Sequence, residues 1–258
     1  MAALTRQEVE AIVATAREKG ERPNLSGMDL SDIKLNGAHL TKVDLSRAHL
    51  NRADLSRATL AEAHLQETNL NGADLSEANL SNVNLRMANL GGADLSGANL
   101  YQANLEKADA FEANLSEIDL GEANISGADF SNANLGGVDL REAKLGGTNL
   151  NGADLSGANL EGTRLEGADL EGVDFGGTRV VRTFFSNVDL RTARGLEYVY
   201  HDGPSYIDSH TLMLSQGQVP EVFLRGCGLT DAQIEMAKLH NPNLTSDEIT
   251  LITYEIHR

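Results

Sequence analysis

The stretch ADLSGANL, Ala93–Leu100, occurs again without change at Ala153–Leu160. It holds two copies of a five-residue unit in which Leu ends the unit and Ala stands two residues earlier. Counting in fives from Leu25 to Leu190 gives 34 positions, and all of them are apolar. Repetition on this scale decides the fold, because each unit can bury its apolar side only against neighbouring units.

A period of five fits neither an α-helix nor a flat strand. On a helix, five residues turn through about 500°, so successive Leu side chains would point about 140° apart. On a strand, an odd period would place alternate Leu side chains on opposite faces. The chain must therefore turn once in every unit, and the Gly, Asn, Asp and Ser residues between the Leu positions favour turns. The sequence predicts an all-β solenoid with Leu and Ala inside and polar residues outside.

These runs resemble the pentapeptide repeat family, whose pattern is Ala-(Asp/Asn)-Leu-x-x. The resemblance implies a right-handed quadrilateral β-helix, the repeat-five-residue fold, in which residue i stacks on residue i+20. On that basis we expect about eight coils and a column roughly 40 Å tall, given about 4.8 Å between stacked strands.

Charged residues twenty positions apart offer a check on the coil length. Opposite charges fall on one another in five stacks, which are Lys42 on Glu62, Arg47 on Glu67, Arg57 on Glu77, Arg86 on Glu106, and Arg141 on Glu161. Such cross-strand pairs favour a twenty-residue coil. Other stacks bring like charges together, namely Glu122 on Glu142 and the acidic column of Asp54, Asp74 and Asp94.

The residues on either side of the repeat have helical patterns. Residues 5–19 predict an amphipathic helix that begins with a Thr5–Glu8 capping box, and we expect it to cover the first coil as a lid. After Leu190 the repeat fades. The apolar spacing then predicts helices near 209–215, 219–226, 230–239 and 245–257, with capping boxes at Thr230–Gln233 and Thr245–Glu248.

The expected organisation is a solenoid with α-helical ends. It consists of an N-terminal capping helix at 1–23, a pentapeptide-repeat β-helix at 24–195 and a small C-terminal α-helical domain at 196–258, docked on the last coil. The segment Ile207–Glu235 is similar to one that, in some bacterial pentapeptide-repeat proteins, joins the repeats to a Toll/interleukin-receptor (TIR) type domain. By that resemblance the chain is either the repeat region of a larger signalling protein or a protein that stands alone.

No residue pattern predicts a catalytic, cofactor-binding or metal site. Catalysis needs groups that converge in a sheltered site, whereas outward side chains on a solenoid diverge. Cys227 lies among apolar residues and is expected to be a small buried side chain. Exposed carboxylates in the acidic column could hold a cation, but we expect them to be solvated. His39, His49 and His64 occupy the outward Asp/Asn position, and none lies twenty residues from another, so we do not expect them to stack. The remaining histidines have no metal-ligand spacing with Cys227; these are His201, His210, His240 and His257.

One unit departs from the pattern, because Ala110 replaces the inward Leu and Phe111 follows it. We expect Phe111 to repack through a local bulge into the space that Ala110 leaves. The alternative is that Phe111 stays outside as a contact residue. Tyr101 and Met87 also occupy outward positions, where single apolar groups are common.

Charge and composition bound the function. The net charge is −17, and residues 24–190 hold 25 acidic and 12 basic residues, which disfavours direct binding to nucleic acid or a membrane. A single cysteine, no signal segment and no long apolar run favour a soluble protein of the bacterial cytoplasm, with a monomer favoured. We expect a non-catalytic scaffold for an unknown protein partner. The alternative, implied by some family members, is a nucleic-acid mimic that binds DNA gyrase.

Overall fold

The computed structural model describes residues 4–257. Residues 1–3 and Arg258, which the predicted domain limits include, lie outside this range. The repeat forms a ladder of parallel bridges that join residue i to residue i+20, from Asn24↔Asp44 to Asp174↔Arg194. Bridges recur every five residues, so each twenty-residue coil has four sides. The twenty-residue coil predicted from the sequence is confirmed.

The last coil is longer than the others. Strand β1 (Arg179–Val180) pairs with β3 (Tyr200–His201), and β2 (Phe184–Phe185) pairs with β4 (Tyr206–Ile207), all in parallel. Residue 179 therefore pairs 21 positions ahead and residue 184 pairs 22 positions ahead. A short 3₁₀ helix, Leu196–Tyr198, precedes β3 where the first of two added residues enters the coil, and the second enters between β3 and β4.

Tight turns join the four sides of each coil. In the unit after Leu95, the backbone N–H of Ala98 donates to the carbonyl of Leu95 at 2.9 Å. Gly97, the third residue of that turn, has a φ of +66°, in the left-handed region that Gly adopts without a steric penalty. The same position is charged in other units, as at Arg47 with a φ of +59°.

The interior of the coil is narrow and mostly apolar. All 34 Leu-type positions are at most 1% exposed. The position two residues earlier is also buried through most of the repeat, and at five places it is Thr. Each Thr hydroxyl donates to a carbonyl of the preceding coil, as Thr163 does to Leu140 at 2.7 Å. These bonds satisfy the buried hydroxyls; the residues are Thr68, Thr148, Thr163, Thr178 and Thr183.

The prediction that Phe111 repacks inward is wrong. Phe111 is 41% exposed, whereas Ala110 keeps the inward position and is fully buried. No bulge is needed, since the ladder stays in register through Asp109↔Asp129. In the next coil the residue stacked on Ala110 is Phe130, which is also fully buried. A large side chain next to a small one keeps the column filled.

Helix α1 (Arg6–Glu18) lies across the first coils. Thr5 is its N-cap, and a capping box joins Thr5 to Glu8. The helix buries Val9 and Val13 against the solenoid core. Its arginines reach the coil backbone, with Arg6 donating to the carbonyl of Asn36 at 3.0 Å.

Four helices follow the last coil, and they are α2 (Ser209–Leu214), α3 (Glu221–Gly226), α4 (Asp231–Lys238) and α5 (Ser246–Ile256). Helices α2 and α3 contact the coil: Thr211 donates to the carbonyl of Phe185 at 3.1 Å, and the rings of Phe185 and Phe223 are 5.3 Å apart. Helix α5 packs on α4. Within residues 4–257, no helix is both long and apolar enough to cross a bilayer.

Candidate interaction surfaces

The acidic column of Asp54, Asp74 and Asp94 stabilises the turns. Asp74 accepts hydrogen bonds from the backbone N–H and the hydroxyl of Ser76, at 2.9 and 2.6 Å. Asp54 makes the same pair of bonds to Ser56. This is the Asx-turn geometry that Asp and Asn favour. No cluster of His, Cys, Asp or Glu suited to a metal ion occurs in the described part of the chain.

Ion pairs between coils cover the corners. Four predicted pairs are present, which are Lys42–Glu62 at 3.3 Å, Arg47–Glu67 and Arg57–Glu77 at 3.0 Å, and Arg86–Glu106 at 3.8 Å. Arg141 and Glu161 are neighbours in successive coils, as predicted, but Arg141 makes its ion pair with Asp139, at 2.6 Å, within its own turn. Glu161 pairs with Arg182 in the next coil. All of these groups are at least partly exposed to solvent, so each pair contributes little to stability.

The histidines and the cysteine do not form a common site. His39 contacts the Thr59 hydroxyl at 3.2 Å. Cys227 is buried, and burial raises the pKa of its thiol to about 12, so the reactive thiolate is absent at neutral pH. His201 packs against Phe223, with 5.2 Å between the rings, and neither ring nitrogen has a hydrogen-bond partner. Burial lowers the pKa of His201.

Tyr101 forms one wall of a shallow acidic depression of about 360 Å³. Its ring lies against the bare backbone of Gly121, and its hydroxyl donates to Glu122 at 2.5 Å. Gln102 donates to the other carboxylate oxygen of Glu122 at 2.8 Å. These hydrogen bonds lower the pKa of Glu122. The depression therefore holds an ordered carboxylate but is open to solvent.

Exposed apolar side chains concentrate at the C-terminal end. Between residues 24 and 190, only Met87 and Phe111 are exposed large hydrophobic side chains. In contrast, α5 has no fully buried residue, and its Leu251 and Tyr254 are 61% and 65% exposed. Met236 on α4, the helix on which α5 packs, is also exposed. Exposed apolar groups gathered in one place are typical of a contact surface.

The last coil carries exposed aromatic rings. Tyr198, Tyr200 and Tyr206 are all more than half exposed. The ring of Tyr206 stacks on Phe184, with 4.4 Å between centroids, and the Arg164 guanidinium lies 5.1 Å from the centroid of Phe184. Sequence reasoning missed this group. The available signal was the placement of three of the chain's five tyrosines within residues 198–206.

The sequence profile of the family described as pentapeptide repeats (8 copies) matches residues 24–60, 53–90, 78–116, 88–127 and 133–172. These matches cover more than half of the chain. The chain belongs to the pentapeptide repeat family. Its four-sided ladder has the repeat of the family fold, a right-handed quadrilateral β-helix.

Solved structures of the family include similar proteins. HetL, a pentapeptide repeat protein involved in heterocyst differentiation regulation from the cyanobacterium Nostoc sp. strain PCC 7120, is 31% identical over 80% of this chain and 98% of its own, with a TM-score of 0.34. A pentapeptide repeat protein from the cyanobacterium Cyanothece 51142 is 41% identical over 35% of this chain and 62% of its own, with a TM-score of 0.34.

QnrB1, a plasmid-mediated fluoroquinolone resistance protein, is 19% identical in a trypsin-treated form, over 82% of this chain and 90% of its own, with a TM-score of 0.38. A comparison with curated proteins gave no match. The identity to HetL and the profile match, rather than the superpositions, carry the family assignment.

Proposed function

We propose that this pentapeptide repeat protein is a non-catalytic scaffold whose C-terminal helices bind a partner protein. In such a scaffold, residues 1–23 would form a capping helix, residues 24–195 a β-helix and residues 196–258 a helical domain. The exposed apolar surface of α4 and α5 carries the proposal, because Leu251, Tyr254 and Met236 face solvent, whereas only two large hydrophobic side chains of residues 24–190 do so. A groove of about 310 Å³ beside them is lined by Leu224, Ile234 and Ile252 among others.

The rest of the molecule suits a rigid support. Outward Asp and Asn side chains stabilise the turns, and the charged corners pair with each other, so the repeat surface holds few groups that are free to do chemistry. The resemblance of Ile207–Glu235 to a linker before a TIR-type domain fits the same role. In a larger signalling protein, the solenoid would hold an effector domain and its partner together.

The test compares partner capture by the intact chain and by two variants. Leu251→Ser with Tyr254→Ser removes apolar contacts from α5, and we expect it to abolish capture of the partner that the unmodified chain retains. Met87→Ser with Phe111→Ser is the matched control on the solenoid, and it should leave capture unchanged. Circular dichroism checks that both variants are folded. Equal capture by all three chains would contradict a contact at α5.

The alternative is a nucleic-acid mimic directed at DNA gyrase. It is favoured by the repeat region itself, where 25 acidic and 12 basic residues leave a net charge of −13. Ion pairs such as Arg47–Glu67 and Arg57–Glu77 neutralise the acidic surface of the early coils, which weakens the imitation of a polyanion. A supercoiling assay separates the two functions. Inhibition of gyrase by the intact chain, unaffected by the α5 variant, would favour the mimic.

A further inference from the structure

A column of cationic and aromatic side chains runs along one side of the last coils. Lys144 bridges to Arg164, Arg164 bridges to Phe184, and Phe184 pairs with Tyr206 in strands β2 and β4. These four residues, here called the cation–aromatic column, occupy consecutive rungs at the outward position where most units have Asp or Asn. At about 4.8 Å per rung, the column is about 14 Å long.

Within residues 4–257, the two cations of the column have no acidic partner. Lys144 and Arg164 are exposed, and neither forms an ion pair, although the repeat region holds 25 acidic residues. The acidic residues nearest to them along the chain, Glu142 and Glu166, form no ion pair with either cation, and Glu161 is paired with Arg182. Both cations are therefore available to an anionic group from another molecule.

The aromatic rings add to the same electrostatic character. Phe184 and Tyr206 stack with 14° between their planes and 4.4 Å between centroids, which is close to the spacing of the rungs. The rings therefore lie across the column and present their edges to solvent. The edge of an aromatic ring carries partial positive charge, and the negative face of Phe184 is covered by the Arg164 guanidinium 5.1 Å away.

The composition is that of a binding hot spot. Tyr and Arg are enriched among the residues that carry most of the energy of protein interfaces. The neighbouring side of the last coil adds Tyr200, which is exposed next to Gly177, where no side chain stands in the way. Gly147, at the corner beside Lys144, also leaves open space.

We infer that the cation–aromatic column binds an acidic segment of a partner protein, about four extended residues long. Arg164 would take a carboxylate in a two-pronged contact, Lys144 would take a second, and the Tyr206 hydroxyl would donate to a third acceptor. The inference rests on the proposed scaffold function, and it names a second contact, on the solenoid, and the chemistry of the segment that binds there.

The arrangement favours a peptide over a nucleic acid. Proteins hold single-stranded nucleic acids by stacking bases on open aromatic faces. Phe184 has no open face, because Arg164 covers one side and Tyr206 the other. The net charge of −13 on residues 24–190 also repels a long polyanion, whereas a short acidic segment would touch only the column.

The test is fluorescence anisotropy of a labelled peptide of about ten residues that alternates Glu and Gly, titrated with the full chain. The variant Lys144→Glu with Arg164→Glu should weaken binding at least about tenfold, the effect of losing about 1.4 kcal/mol. The matched control is Arg22→Glu with Lys34→Glu, which changes the net charge equally at the other end of the chain, where both cations are exposed and unpaired. The control should bind like the unmodified chain.

A second variant, Tyr206→Ala, alters the column without changing its charge and should weaken binding several-fold. No binding of the peptide by the unmodified chain would overturn the inference, and so would equal weakening of binding by the control variant. It would also be overturned if oligo-dT bound more tightly than the peptide through Lys144 and Arg164. If peptide binding fails while the α5 surface still captures a partner, the scaffold function stands and only this contact is lost.

Discussion

At the scale of single residues, Ala110 and Phe130 show how the core tolerates change. Both stand at inward positions of one column and both are fully buried. The period of five identified each of them as inward. Phe111 was wrongly predicted to turn inward. The pattern indicates which way each side chain points, but it does not indicate which neighbour fills the space beside Ala110. The compensating residue lies twenty positions away in the sequence.

Replacing Ala110 with Leu should destabilise the protein by about 1–3 kcal/mol, because Phe130 already fills the column at this level. The double variant Ala110→Leu with Phe130→Leu restores the ordinary Leu stack and should recover most of that loss. Urea unfolding measures all three chains. Purely additive effects would show that the two side chains do not share one space.

His201 should make the docking of α3 sensitive to acid. Its ring is packed against Phe223 and lies close to Gly226. Burial lowers the pKa of His201, and the nearby Gly226 backbone only partly opposes that shift. The unfolded chain therefore takes up a proton first, near pH 6.5. Stability is highest above that pH and falls as the pH drops from about 7 to 5.

The measurement is the melting temperature at both pH values for the unmodified chain and for His201→Leu, which cannot be charged. We expect a smaller drop in the variant. The same drop in both chains would mean that other groups cause the acid sensitivity.

At the scale of elements, the helix caps and several ion pairs between coils could be predicted from the sequence. The capping residues Thr5, Thr230 and Thr245 each stand just before a helix, within two residues of the predicted boundary. Sequence reasoning found four of the ion-pair stacks, because a fixed twenty-residue coil brings those residues together. It did not predict that Arg141 pairs with Asp139, because that contact depends on side-chain rotamers within one turn.

Reversing Arg47 to Glu should lower the melting temperature only slightly, since both members of its pair with Glu67 are well exposed. Adding Glu67→Arg exchanges the charges and should recover the loss. A thermal unfolding cycle of the four chains gives the coupling. Zero coupling would mean that the 3.0 Å contact does not contribute to stability in solution.

Asp208 links α2 to the solenoid. It is the N-cap of α2, and it accepts from the Ser186 hydroxyl at 2.6 Å and the Thr211 N–H at 2.7 Å. Burial raises the pKa of Asp208, but these hydrogen bonds outweigh it and lower the pKa to about 2. The stabilisation is therefore present above the ordinary value of 3.8 and is lost as the pH falls toward 2.

Asp208→Ala should cost about 1–2 kcal/mol at neutral pH, the usual effect of losing an N-cap. Asp247→Ala, in the first turn of α5, is a matched control that removes an acidic residue without removing a cap. Hydrogen exchange would show the loss in α2 and the last coil. Equal protection in both variants would contradict a structural role for Asp208.

At the scale of the whole molecule, the sequence predicted the solenoid well and its surfaces poorly. The five-residue period predicted which side chains are buried, and the resemblance to the pentapeptide repeat family implied the twenty-residue coil. The longer last coil was not predicted, because its registers of 21 and 22 residues depend on how residues 195–205 return to the ladder. The cation–aromatic column was missed for the same reason, since Phe184 and Tyr206 meet only through that altered register. That no residue forms a catalytic or metal site stays a prediction.

Cysteine cross-linking tests the twenty-residue coil most directly. Ser76 and Ser96 occupy one corner in successive coils, where the N–H of Glu77 donates to the carbonyl of Ser96 at 2.9 Å. Stacked strands about 4.8 Å apart fall within the Cα separation of a disulfide. Cys227 is buried and should not compete. We predict that Ser76→Cys with Ser96→Cys forms an intramolecular disulfide under mild oxidation, and that Ser81→Cys with Ser96→Cys, fifteen residues apart, does not. Cross-linking of the second pair and not the first would contradict the four-sided coil on which the whole account rests.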